Sequence, residues 1–249
     1  MNICRTKFSK NIVTEFVPPA DKKSGNVMIF CSGVPGHPDK DDVLMFWAEQ
    51  GYWTFFPRYR GAWESGGTFL KQSLEHDVLD VIGALQRPFK NYWTGKTYQV
   101  IPKSITIVGS SFGGPAAILA TIDPRVSRAV CISPVVDWRA ENKTEPLVIL
   151  YKLLRKLYPN IYRLRKKYWN KLGKENFYNP LDSITKLDPR KILIFHAQDD
   201  KIVRYKPVAK FAEILGCDPV TFKRGGHLSS SMLIQKKHSQ RVKKFIERE

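Results

Sequence analysis

Apolar positions in this chain fall into two kinds of run, and their alternation sets the expected fold. Short continuous stretches rich in β-branched and aromatic residues read as buried strands: 27–32 (VMIFCS), 52–56, 104–108 (SITIV), 128–132, 191–195 (KILIF) and a short one at 220–223. Between them, apolar residues recur every three or four positions, the period of a helix with one buried face. Residues 39–50 place Val43, Leu44, Phe46 and Trp47 on such a face. Residues 68–86 do the same with Leu70, Leu74, Val78, Val81, Ile82 and Leu85, and 115–122, 206–215 and 229–248 complete the set. This order predicts an α/β fold, a mostly parallel sheet covered by helices on both faces.

One stretch breaks the rhythm. Residues 137–190 lack a clear strand and contain a helical tract, 147–174, dense in Lys, Arg and Tyr. Lying between two strands, the stretch reads as a helical lid inserted into one domain that spans 1–249. No run approaches the roughly 18 consecutive apolar residues of a membrane span. The first 23 residues carry Lys, Arg, Asn and Glu where a secretory signal would have its apolar core. Four cysteines without a CxxC pair read as reduced thiols, which points to the cytoplasm; Cys31 and Cys131, in apolar runs, are expected in the core.

The formal net charge is +18. Charge of this sign suits anionic partners, but no nucleic-acid motif accompanies it, so no specific nucleic-acid partner is expected. In the insertion, Lys152, Arg155, Lys156, Arg163, Arg165, Lys166, Lys167, Lys171 and Lys174 interleave with Tyr151, Tyr158, Tyr162, Tyr168 and Trp169. Such a helix can turn its aromatics inward and its charges to water. It can also present a basic-aromatic face to an anionic membrane surface or acyl substrate.

The sharpest chemical signal is Gly109-Ser110-Ser111-Phe112-Gly113, a G-x-S-x-G sequence between the SITIV strand and the FGGPAAILA helix. A serine on a tight strand-to-helix turn is pushed out above the sheet, and flanking glycines relieve the crowding that the turn creates. Ser111 is the expected nucleophile. Ser110, on the strand side without symmetric glycine flanks, is the weaker competitor. A serine hydroxyl needs an imidazole to take its proton and a third group to orient that imidazole. Of five histidines, His227 follows a late strand on a Gly-Gly loop and suits the order Ser, acid, His. His76 and His238, within helices, are expected at the surface. Asp199 and Asp200, after the KILIF strand, and Asp137, after the preceding one, are the acids left open. The oxyanion donors expected are the backbone N–H groups of Phe112 and of Val34, in the Gly33-Val34 turn after the early strand.

Taken together these segments resemble the α/β-hydrolase superfamily over nearly the whole chain after about residue 25. GSSFGG resembles its nucleophile elbow, and HAQDDKIV is similar to the HGxxDxxV segment whose aspartate is catalytic; that resemblance selects Asp200. Ala197 departs from the usual glycine, and Ser32 replaces the common histidine in SGVPG. RYRGAWESGG is similar to a loop of the prolyl oligopeptidase family's catalytic domain. The resemblance implies a serine esterase working through Ser111, His227 and Asp200 on a small-molecule ester or acyl substrate, with no metal or organic cofactor. A peptidase or acyltransferase with the same triad, or a non-catalytic binding protein on this scaffold, are the rival readings.

Overall fold

A computed structural model describes residues 2–38, 40–174 and 176–248. Its main sheet has eight strands in the order β1-β2-β4-β3-β7-β8-β9-β10. These are β1 (Cys4–Phe8), β2 (Ile12–Val17), β3 (Asn26–Cys31), β4 (Trp53–Pro57), β7 (Ser104–Ser110), β8 (Arg128–Ile132), β9 (Ile192–Ala197) and β10 (Val220–Phe222). A small hairpin, β5 (Phe89–Lys90) and β6 (Thr97–Tyr98), stands apart. The β1–β2 and β2–β4 pairs are antiparallel and all others in the main sheet are parallel. This is the mostly parallel sheet that the alternation predicts, in the α/β-hydrolase arrangement that the resemblance implies.

The strands bury both faces, with period two. In β3, Val27, Ile29 and Cys31 join one core, while Met28 and Phe30 join the other. In β8 and β9 the split repeats: Ala129, Cys131, Ile192 and Ile194 against Val130, Ile132, Leu193 and Phe195. The first core is closed by α2 (Glu75–Leu85), α3 (Gly114–Ala120) and α6 (Tyr205–Leu215). The second is closed by α1 (Asp41–Glu49) and by α7 (Lys236–Ile246) through Val242. Each large apolar side chain withdrawn from water here contributes about 1.5–3 kcal/mol.

Several boundaries differ from the sequence reading. The N-terminal hairpin was not foreseen. Its turn holds Ser9 and Lys10 at φ 44° and 68°, a left-handed pair normally signalled by Gly or Asn. Its inner strand buries Glu15, whose carboxylate meets Arg58 Nη2 at 2.6 Å and Arg5 Nη2 at 2.7 Å. The predicted helix 68–86 begins only at Glu75, because Leu70 has φ 57° and Phe69 bridges to Leu164. Residue 39, placed at the start of a helix by the pattern, lies outside the described residues; α1 starts at Asp41.

The tract 147–174 is likewise not one helix. It divides into α4 (Leu147–Leu157) and the short α5 (Lys166–Trp169), and the chain between them is stitched to the loop after β4. Trp63 N–H donates to Ile161 O at 2.8 Å, Arg163 N–H to Gly61 O at 2.7 Å, and Phe69 N–H to Arg163 O at 3.1 Å. No helix among the described residues is long and apolar enough to cross a membrane.

Candidate active site

The serine turn is built by crowding. β7 ends at Ser110, residues Ser111–Gly113 form a 3-10 turn, and α3 follows at once. Ser111 has φ 52°, a left-handed conformation that costs a non-glycine residue energy and holds its side chain off the helix path. A Cβ on Gly109 would lie 2.4 Å from Gly113 O, and one on Gly113 would lie 2.5 Å from both Cys31 O and Ser32 O. Neither contact is tolerable, so both glycines are needed for β7, α3 and the loop after β3 to meet. That loop comes close to the serine itself: a Cβ on Gly33 would stand 3.3 Å from Ser111 Cβ and 3.9 Å from its Oγ.

Ser111, Phe112 and Val34 line one cavity of about 230 Å³, whose far wall includes Trp138, Leu147 and Leu150. Ser110 instead lines a neighbouring cavity of about 180 Å³ together with His227. No hydrogen bond joins the Ser111 hydroxyl to His227 among the described residues. Catalytic contacts of this kind commonly close only when substrate is bound.

The acid and the imidazole are brought together. Asp200, with a fully buried side chain, accepts N–H groups of Ile202 and Val203 on Oδ1 at 2.9 and 3.0 Å. Its Oδ2 accepts the His227 Nδ1–H at 2.8 Å, which leaves Nε2 as the ring nitrogen open to proton exchange. Burial alone would raise the Asp200 pKa. The hydrogen bond and charge of His227, the Val203 N–H and the Ser133 hydroxyl outweigh it, so the carboxyl sits below its ordinary value.

The other acids are occupied elsewhere. Asp199 Oδ1 accepts Gly226 N–H at 2.8 Å, which pins the Gly-Gly loop that carries His227. Asp137 accepts Arg139 Nε–H at 3.0 Å and Asn179 Nδ2–H at 3.1 Å, and makes no bond to His227. His76 is exposed as expected, but His238 is buried, its ring edge-on to Phe195 and Phe222 at 5.9 and 5.5 Å. Its place in a basic helix hid that half of the helix faces the core.

Three residues at the site escaped the sequence reading. Ser133, fully buried with φ 43°, accepts Leu228 N–H at 3.2 Å and also supports Asp200. His196, also buried, donates from Nε2 to Val203 O at 2.8 Å and approaches Asp200 Oδ2 at 3.5 Å. Burial holds its pKa below the ordinary value, against the pull of the Val203 carbonyl and the Asp200 carboxylate. Glu145 stands on the wall of the Ser111 cavity, its carboxyl raised by burial while the charge of His227 pulls the other way. Only the HAQDD segment gave a sign of any of these, and it drew attention to its aspartates. Among the described residues no group of three or more His, Cys, Asp or Glu is placed to hold a metal ion.

Comparison with known proteins bears on the fold and the family. The chain resembles an esterase from Pyrococcus furiosus (18% identity, TM-score 0.67, covering 99% of this chain and 89% of that one). It also resembles an α/β hydrolase from a Penicillium species (15% identity, TM-score 0.72, 99% and 97%). A third similar structure is an acylaminoacyl peptidase from Pyrococcus horikoshii (18% identity, TM-score 0.65), of which the match spans 99% of this chain but 40% of the peptidase. A search of curated proteins gives no match. The model of the prolyl oligopeptidase family matches residues 39–249, a span that holds the serine turn, Asp200 and His227. With an α/β-hydrolase sheet and a family match over most of its length, the chain is a serine hydrolase in the broad sense and belongs to the prolyl oligopeptidase family.

Proposed function

We propose that the protein cleaves carboxylic esters, or closely related acyl bonds, through an acyl-enzyme on Ser111. The observation that carries this reading is the 2.8 Å bond from His227 Nδ1 to Asp200, at the C-terminal ends of the parallel strands, where Ser111 is held at φ 52°. His227 Nε2 takes the Ser111 proton as Oγ bonds to the substrate carbonyl carbon. The resulting oxyanion is met by the N–H groups of Val34 and Phe112. His227 then protonates the leaving alcohol as its bond to the acyl carbon breaks. Water, deprotonated by the same imidazole, releases the acid and restores the serine. Asp200 keeps Nδ1–H oriented and offsets the positive charge on the ring. The segment 137–190 serves as a lid over the cleft, a reading supported by the place of Trp138, Leu147 and Leu150 on the cavity wall. Four free thiols suit a cytoplasmic setting.

The direct test is turnover of short p-nitrophenyl esters by wild type and Ser111→Ala; equal rates would sink the assignment. The family and the acylaminoacyl peptidase likeness support a peptidase as the second reading, and an acyltransferase would use the same triad. Rates on matched peptide amides, esters and alternative acyl acceptors separate the three. A fluorophosphonate probe that fails to label Ser111 would leave a binding protein on a hydrolase scaffold.

A further inference from the structure

The outer face of α4 sets aliphatic side chains among cations. Leu150 and Leu154 turn inward, and Leu147 and Leu150 reach the wall of the Ser111 cavity. Outward, Val148 is 63% and Ile149 47% exposed; Leu157, on the Leu150–Leu154 stripe at the end of the helix, belongs to the other side. At helical spacing, Val148 and Ile149 share their side with Lys152, Arg155 and Lys156, all exposed, and no acidic residue occurs in the helix. The aromatics of this region are not part of that face. Tyr162 and Trp169 are buried, Tyr151, Tyr158 and Tyr168 pack against the core, and Trp169 Nε1–H donates to Leu147 O at 3.0 Å. The exposed surface is therefore aliphatic and cationic, without the stacking platforms that single-stranded nucleic acid uses.

A helix that offers branched aliphatic side chains among lysines and arginines lowers its free energy where an apolar phase lies beneath a layer of negative charge. We infer that the outer face of α4 docks the protein on an anionic lipid bilayer, which brings the mouth of the Ser111 cleft to acyl chains held there. The docking part stands on this face alone, and the delivery of substrate rests on the hydrolase reading above. The basic helix α7 supplies the internal comparison. It carries Lys237, Arg241 and Lys244 but exposes no large apolar side chain, so it has charge without anchors.

The test is co-sedimentation with vesicles of phosphatidylcholine alone and with about a third phosphatidylserine, at low and high salt. Three variants go beside wild type: Lys152→Glu/Arg155→Glu/Lys156→Glu on α4, the same reversal at Lys237, Arg241 and Lys244, and Val148→Ser/Ile149→Ser. Wild type binds the anionic vesicles. The α4 reversal weakens binding by about tenfold or more, the α7 reversal by less than about twofold, and the serine variant removes the salt-resistant part. Hydrogen exchange on wild type, which needs no variant to fold, shows vesicle-dependent protection within 147–157 and not within 236–246. Absence of binding at low salt, equal losses from the two reversals, an unaffected serine variant, or protection confined to α7 would each overturn the inference. So would concentration-dependent self-association abolished by the α4 variants, which would make a second copy the occupant. Turnover of a soluble ester, measured on the same samples, keeps failure of docking distinct from failure of the hydrolase reading.

Discussion

On one side of the cleft, Ser111 and Phe112 hang from a strand end whose carbonyls are held, Ser111 O by Val135 N–H at 3.1 Å and Phe112 O by the Tyr178 hydroxyl at 2.6 Å. On the other, Trp138, Leu147 and Leu150 come from the segment between β8 and β9, whose middle is stitched to the loop after β4 and whose helices are held by side chains. The serine wall depends on exclusion: Gly109 and Gly113 have no room for a methyl group. The opposite wall depends on fit, with Trp138 4.7 Å and Trp169 6.0 Å from the Phe112 ring, centroid to centroid. A wall set by exclusion tolerates almost no change of residue. A wall set by fit can be repacked at a cost of about 1–3 kcal/mol and still stand. Chemistry is therefore expected to reside in the first wall and choice of substrate in the second.

The sharpest way to break that contrast is Ser111→Ala. It should lower kcat for a p-nitrophenyl ester by a factor on the order of 10⁴ to 10⁶ without altering the fold. Asp200→Asn should follow, with a loss of about 10³ to 10⁴, because the amide cannot hold His227 Nδ1–H as the carboxylate does. The same variant carries a stability signature. The folded Asp200 carboxyl lies below its ordinary value, so the unfolded chain takes up this proton first as pH falls. Its contribution is thus full above the ordinary carboxylate range and is lost as pH drops through the folded value. Denaturant titrations should show wild type more stable than Asp200→Asn at neutral pH, with the gap narrowing in acid. A gap independent of pH would contradict the low carboxyl pKa.

The two walls also differ in how far they could be read from letters. The turn at Ser111, the Gly-Gly loop before His227 and the acid-bearing end of β9 were all legible. Each is set by local backbone demands that only certain residues meet. What could not be read depends on partners distant in sequence. Glu15 interrupts the apolar pattern of β2, and its burial rests on Arg58, 43 residues on, together with Arg5 across the hairpin. Leu70 sits in phase with the helix that follows, yet the bridge from Phe69 to Leu164 holds that stretch out of it. Pro159 stops the helical pattern after α4, but that the chain beyond it would pair with the loop after β4 could not be inferred from spacing. Ser133 was invisible for the same reason: its hydroxyl matters because Leu228 N–H, 95 residues away, points at it.

Ser133→Ala tests that hidden support within the first wall. The variant strips one hydrogen bond from Asp200 and leaves Leu228 N–H without its partner, so the His227 loop loses an anchor. A lost bond of this kind is worth about 1 kcal/mol, and kcat should fall about fivefold to tenfold with little change in KM. An unchanged kcat would show that Asp199, through Gly226 N–H, positions the loop by itself.

The smallest effect tests a strut between the segment after β8 and the oxyanion loop. Tyr162 belongs to the segment between β8 and β9, yet its hydroxyl accepts the Gly36 N–H at 2.9 Å, two residues beyond Val34. Tyr162→Phe keeps the ring, and with it the edge contact to Phe69 at 5.1 Å, and removes only that acceptor. Gly36 N–H is then left unpaired in a partly buried turn, a loss of about 1–3 kcal/mol unless water reaches it. If the second wall acts only on substrate choice, the variant melts earlier while kcat holds. If Tyr162 steadies the loop that offers Val34 N–H, kcat itself falls by about threefold to fivefold with KM unchanged, because the oxyanion donor is engaged mainly in the transition state. The strut favours the second outcome: a hydrogen bond from the substrate-side wall to the oxyanion loop has no role in selecting an acyl chain, but it does fix where the donor points.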